Sequence, residues 1–383
     1  EQYVNCEGRT YVSEAASSDG GNAIAIDTNG DVLTGGWGPG LGGMDAWLYR
    51  QDRDGNLLWS LQFGTSAGDR IRGIDIDDHG AIYVVGTTWG AFSGFTNAGG
   101  TDCFVSKITS AGALVWTYQW GSTASDSPED IAAYRNEYIY VTGSVTGALP
   151  GATQIGSSDI FVSMLTTAGS FWWSKQYGTT GPDRGYSIVT DNNTGVYVGS
   201  TENYDFSVRR LTLNGVEQWN QTWGSTATDT VRSMVLGSGG ILHVAGDTDG
   251  TVAGAPYDTL GDIVYSQVTT DGNVVDNVQF GGADYDFANH IAIDGLGNVY
   301  IAGFTFGALP GNTQFGFLDA FLMHVTDDFQ VEGVVQFGST ATDKANGVAV
   351  DPGYYVRVVG TTEGDMTGTS STGSHEFITT FHL

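Results

Sequence analysis

The sequence is poor in positive charge, proline and cysteine, and it has no long apolar run. Lysine and arginine number 14 against 43 aspartates and glutamates, for a formal net charge of -29. A field of that sign repels nucleic acid and anionic membrane, and it favours divalent cations or basic partners. No apolar run approaches the roughly 18 residues of a membrane span, so no membrane insertion is expected. Only 7 prolines accompany 58 glycines, and no Gly-X-Y period runs through the 383 residues. The glycines therefore belong to turns and tight strand packing rather than to collagen or disorder. The two cysteines, Cys6 and Cys103, say little about redox compartment. The opening residues EQYVNCEGRT lack the basic and apolar regions of a signal peptide, so a secreted form of this chain would be the mature one.

What is present is a repeat. The Asp five places after the Gly of the QFG-like motif recurs as Asp69, Asp126, Asp183, Asp229, Asp286 and Asp343, with a headless copy at Asp19. The steps between copies are 50, 57, 57, 46, 57 and 57 residues. A period that returns unchanged across segments rich in Val, Ile, Tyr and Trp marks a repeat architecture. One array uses residues 1–383 as a single domain, with units starting near 19, 69, 126, 183, 229, 286 and 343.

Each unit carries four strand signals, A to D. Strand A holds large apolar residues five and seven places after the marker (Ile74 and Ile76, Ile291 and Ile293) and mostly small ones between them, as a strand buried on both faces requires. A turn such as DTNG or DDHG leads to strand B, which ends in Gly36, Gly86, Gly143, Gly246, Gly303 or Gly360. Long B–C loops carry Phe92, Leu149, Val252, Leu309 and Met366 at one register, read as staples that fold each loop onto its own unit. Strand C opens with a second acid series: Asp45, Asp102, Asp159, Asp205, Asp262, Asp319 and Glu376. Strand D carries Trp59, Trp116, Trp173 and Trp219, then an aromatic four residues later, so both share a face and form a seam between neighbours.

Four short antiparallel strands per unit, arranged radially, predict an all-β seven-bladed β-propeller. The seventh copy stops after strand C. Its missing strand D is expected in residues 1–18, at RTYVSE, because Glu14 precedes Asp19 by the same five residues that separate Gly338 from Asp343. The ring then closes by strand pairing instead of leaving exposed edges.

The unit resembles the SBBP family, repeats that build seven-bladed β-propellers. Asp69 to Gly86, Gly100 to Lys107 and Gly112 to Gly121 carry the resemblance, which extends over essentially the whole chain. It implies extracellular or cell-surface proteins and brings no catalytic residues with it. The G-x-x-x-W spacing of Gly55 to Trp59 also resembles the tryptophan-docking motif of quinoprotein dehydrogenases. Those have eight blades, and many carry adjacent cysteines, which this chain lacks. Sialidase Asp boxes are absent.

Both acid series should face one end of the propeller. They could hold calcium, having hard oxygens, negative field and repeated geometry. Alternatively each carboxylate accepts backbone N–H groups, and a residue needed in every blade serves what happens in every blade. Variation within the frame points better to function. Three places after the marker, near the mouth, stand Asn22, Arg72, Glu129, Tyr186, Arg232, Asn289 and Asn346. Asp75, where other copies hold Ala or Val, needs a partner, with Arg72 or Arg70 nearest in sequence. These eight residues are the binding candidates. Cys103 sits in an apolar register, as a buried thiol or as half of a bridge, and Cys6 is then available to another chain. Asn192 and Asn220 head N-glycosylation triplets.

The expectation is an extracellular, non-enzymatic binding or structural module for a protein or glycan partner or for self-assembly into a surface assembly or filament. The alternative is a polysaccharide-acting hydrolase or lyase using Glu129 and Asp75.

Overall fold

Blade 2 shows how one unit folds. Asp69–Ile76, Ile82–Thr88, Asp102–Ile108 and Leu114–Trp120 form strands A to D, paired antiparallel in that order. In the A–B turn the Asp77 carboxylate accepts the amides of His79 (3.0 Å) and Ala81 (2.9 Å). Gly80 takes a positive φ of 78° there, a conformation that costs glycine little. Strand B is buried along its whole length, and strand D is the most exposed of the four. Its Val/Ile/Tyr content is what a sheet layer covered on both faces selects.

The structure, a computed structural model, describes residues 10–12, 19–40, 42–252, 260–366 and 374–382. Its strands make seven four-stranded antiparallel sheets. This is the seven-bladed β-propeller expected from the repeat. The strands A are Gly20–Ile26, Asp69–Ile76, Asp126–Tyr134, Asp183–Thr190, Asp229–Leu236, Asp286–Ile293 and Asp343–Val350. Thr10–Val12 pairs antiparallel with His375–His382, with Thr10 opposite Thr379 and Val12 opposite Phe377. An N-terminal strand thus completes the last blade.

The chain divides into two compact units: Gly35–Trp223, and Glu1–Thr34 with Gly224–Leu383. Within each, neighbouring blades share a core. In the first, Tyr83, Val85, Cys103 and Val105 of blade 2 pack against Ile131, Val141 and Phe161 of blade 3. In the second, Tyr300, Ala302 and Leu322 of blade 6 pack against Val348, Val358 and Phe377 of blade 7. Each fully buried Val- or Phe-sized side chain contributes about 1.5–3 kcal/mol.

The strand D aromatics form the expected seam. A Cβ on Gly112, Gly169 or Gly215, the positive-φ glycines of the C–D turns, would fall 2.8, 2.9 or 2.7 Å from Trp59, Trp116 or Trp173 of the preceding blade. Each tryptophan therefore lies on the bare backbone of its neighbour's turn. The loop staples hold as well: Leu149, Val252 and Leu309 are buried, and Phe92 packs on Phe104 with ring centroids 5.2 Å apart.

Candidate functional site: the loop end of strand A

The repeated acids are engaged in building this end. Asp69, Asp126, Asp183, Asp229, Asp286 and Asp343 each accept, at 2.6 Å, the amide of the residue four places earlier: Thr65, Ser122, Thr179, Ser225, Gly282 and Ser339. Asp19 accepts the amide of Glu376 at 3.0 Å, tying the N-terminal part of the chain to its last strand. A Cβ on Gly121 would fall 2.7 Å from Asp126 Oδ2 and would also collide with Asp102. This glycine is where the two acid series meet, as at Gly281 and Gly338. Burial, with a smaller contribution from Asp102, pushes the Asp126 carboxyl up to about 6.

The second series is held by a residue that the sequence reading passed over, the Gln before the strand D aromatic. Gln119, Gln176, Gln279 and Gln336 donate Nε2 to Asp102, Asp159, Asp262 and Asp319 at 2.8, 2.8, 2.6 and 2.7 Å. Their Oε1 atoms accept the amides of the staple residues Phe92, Leu149, Val252 and Leu309 at 2.8, 2.8, 2.9 and 3.0 Å. Gln62 plays the same part in blade 1, donating to Asp45 and to the Pro39 carbonyl. Blade 4 has a short B–C loop and Thr222 in place of Gln, and its Asp205 faces Glu202 across the ladder. Among the described residues no group of three or more His, Cys, Asp or Glu is arranged to hold a metal ion.

The variable register has a structural identity that the sequence did not reveal. In blades 2 to 7 it is the extra residue of a β-bulge in strand A: the pairing of A with B skips Arg72, Glu129, Tyr186, Arg232, Asn289 and Asn346. A bulge residue lies outside the ladder and re-aims its side chain, which frees this position to vary. Asn22 is the corresponding residue of blade 1.

Several of these side chains are committed. Asn289 and Asn346 donate their amides to the carbonyls of Ala345 (2.8 Å) and Gly21 (2.7 Å) on the next blade. Glu129 is ion-paired with Arg184, whose guanidinium lies 5.1 Å from the Tyr186 ring. Arg232 is paired with Asp247 at 2.6 Å. The expected Asp75–arginine pair is not formed. Asp75 accepts the amides of Ala133 on strand A of blade 3 (2.7 Å) and of Ile76 (2.8 Å). Burial pushes its carboxyl up to about 7. Asp130 repeats the arrangement toward blade 4, accepting from Ser187 Oγ and Ile188 N at 2.9 Å each.

Blade 6 departs from its siblings in its aromatic content. Tyr285, Phe287, Phe304, Phe306 and Phe317 form one cluster, with centroid separations from 5.1 Å (Phe287–Phe304) to 6.3 Å. Phe317 is 67% exposed and Tyr285 40%. Lys344 of blade 7 lies 4.9 Å from the Phe304 ring, and Arg232 of blade 5 lies 5.9 Å from Phe287. In blade 2 the residues in the registers of Tyr285, Phe287 and Phe304 are Gly68, Arg70 and Thr87. That substitution pattern was the available signal.

A family model described as beta-propeller repeat, SBBP, matches residues 58–93 and 278–307. Two segments of the chain thus match the SBBP repeat. Each SBBP match starts in strand D of one blade and runs into strands A and B of the next, so the sequence repeat is offset from the blade. The regulatory protein FlaEY of Caulobacter vibrioides is 26% identical over 190 residues, covering 41% of this chain and 20% of that protein. The chain therefore matches about a fifth of that relative's length. Among solved structures, a Lactobacillus plantarum protein aligns with a TM-score of 0.56 at 14% identity, over 90% of this chain and 98% of that one. The WD40 domain of Neurospora crassa Pan2 gives 0.54 at 9% identity, over 94% and 88%. At these identities the likeness is one of fold.

Proposed function

We propose that this SBBP-repeat propeller is an extracellular, non-enzymatic binding module that engages a glycan or protein partner through the aromatic surface of blade 6. The observation that carries the reading is the concentration of five aromatic side chains, two of them widely exposed, at loop-end positions, while the neighbouring carboxylates are spent on backbone amides. Aromatic rings offer large contact area at low entropic cost, and the flanking Lys344 and Arg232 supply donors at the rim. The name of FlaEY, a regulatory protein, accords with binding rather than turnover.

A glycoside hydrolase ordinarily uses two carboxylates flanking its bond. Glu129 is held by Arg184, and Asp75 by two backbone amides, which weighs against that role for either. Extracellular placement agrees with the Asn192 triplet, which sits exposed at a hairpin tip with φ 53°. The Asn220 amide instead donates to Glu202 at 3.1 Å. The test is glycan-array and partner-binding analysis followed by product analysis. Binding without cleavage that falls on Phe317→Ala and Tyr285→Ala supports the module. Cleavage products, or binding indifferent to both substitutions, overturn it.

A further inference from the structure

Blade 2 holds two cations that no carboxylate among the described residues pairs with. Arg70 lies on strand A and Arg72 is the bulge residue two places on. The Arg70 guanidinium lies against two indoles, 4.9 Å from the Trp37 ring and 5.4 Å from that of Trp89, and Trp89 is 46% exposed. The Nε atoms of both arginines are buried without a hydrogen-bond partner. No ion pair or hydrogen bond from either guanidinium to a described residue is found, whereas Arg184, Arg209 and Arg232 are each paired with carboxylates. Burial lowers the Arg70 pKa, and the Arg72 charge lowers it further. Two repelling guanidinium groups beside each other, in a chain with 43 acids, form a site lacking its anion.

We propose that Arg70, Arg72, Trp37 and Trp89 bind the carboxylate of a uronic-acid residue in an otherwise neutral oligosaccharide. A guanidinium fork matches a planar carboxylate, and partial burial strengthens each charge-assisted bond. The exposed indole of Trp89 offers the flat apolar surface that one face of a pyranose ring covers. The net charge of -29 penalises heavily charged polyanions and acidic peptides, which leaves an isolated uronate favoured. The proposal rests on the binding-module reading but uses none of the blade 6 residues, so the two can fail separately.

The test is calorimetric titration of the full chain with a neutral-sugar trisaccharide ending in glucuronate. Its glucose-ended counterpart, free glucuronate and a peptide with a single glutamate serve as comparisons. The expected result is binding of the glucuronate trisaccharide about tenfold or more tighter than of the other three, weakened by salt. Arg72→Gln and Arg70→Lys should each lower that affinity at least about tenfold, because a lysine keeps the charge and loses the fork. Arg72 lies outside the strand ladder, so Arg72→Gln should keep the parent urea midpoint, and Phe317→Ala should leave this binding unchanged. Absence of binding, equal binding of the glucose-ended sugar or free glucuronate, equal binding of the peptide, or indifference to both arginine substitutions would overturn the proposal.

Discussion

Replacing Gln336 tests whether the loop end is held by the glutamine clasp. Gln336 is buried; it donates to the Gly307 carbonyl (2.8 Å) and Asp319 (2.7 Å) and accepts the Leu309 amide (3.0 Å). In Gln336→Leu all three partners lose it. Asp319 keeps the amides of Phe315 (2.7 Å) and Gly316 (2.8 Å), and the Gly307 carbonyl keeps the Thr305 hydroxyl (3.2 Å), so the group left orphaned is the Leu309 N–H. A buried orphan costs about 1–3 kcal/mol, which is the expected loss. That is a large part of the stability of any domain. Gln336→Glu is the sharper variant. One oxygen can still accept from Leu309, but the other faces a carbonyl and the Asp319 carboxylate. Its deficit should exceed that of the leucine variant at neutral pH and shrink as pH falls and the new acid protonates. Urea unfolding across pH, with hydrogen exchange of the Leu309 amide, reads both effects. A leucine variant within about 0.5 kcal/mol of the parent, with Leu309 still protected, would refute the clasp.

Stability should decline as pH rises from about 4 to 7. The folded carboxyls of Asp75 (about 7) and Asp130 (about 6) still hold protons there, whereas their unfolded counterparts have lost them. Asp75→Asn should flatten that decline, and urea midpoints equal at pH 5 and pH 8 in the parent would contradict it. Cys103 is fully buried, and burial raises its thiol well above the ordinary value. In a Cys6→Ser background it should resist a thiol reagent until the protein unfolds, and rapid native labelling would show the site to be open. Calcium or a chelator should move the melting temperature by less than about 1 °C, because the marker carboxylates already accept amides. A rise of several degrees with calcium would restore the metal reading. Deleting residues 1–14 removes Thr10–Val12 and bares the edge of His375–His382. Lower melting temperature and aggregation are expected, and an unchanged monomer would sink the closure.

The fold was legible because its period is written in large apolar and turn residues that any blade must share. Even the borrowed strand could be placed, since Glu14 keeps the spacing of Gly338. The site was harder to read, for physical reasons that differ by residue. Asp75 was expected beside an arginine because charges are visible in a sequence, but its partner is the amide of Ala133, and backbone donors are not. The glutamine clasp hid inside a motif read for its aromatic. Its trace was the coincidence in blade 4 of a short loop with Thr222. The bulge was invisible because a single extra residue shifts alternation over only a few positions. Tyr285 and Phe287, Phe304 and Phe306, and Phe317 come from three separate stretches that converge only when strands A and B pair and the next loop folds back.

The bulge of strand A carries a consequence for how such a chain can change. Because Arg72 and Tyr186 stand outside the ladder, exchanging either leaves the pairing of its blade with strand B untouched. Blades 2 and 4 thus offer interchangeable sockets on a ladder that does not register the swap. A library randomised at these positions alone should yield many folded members with divergent ligand preferences, which makes the propeller a platform for selecting new binders.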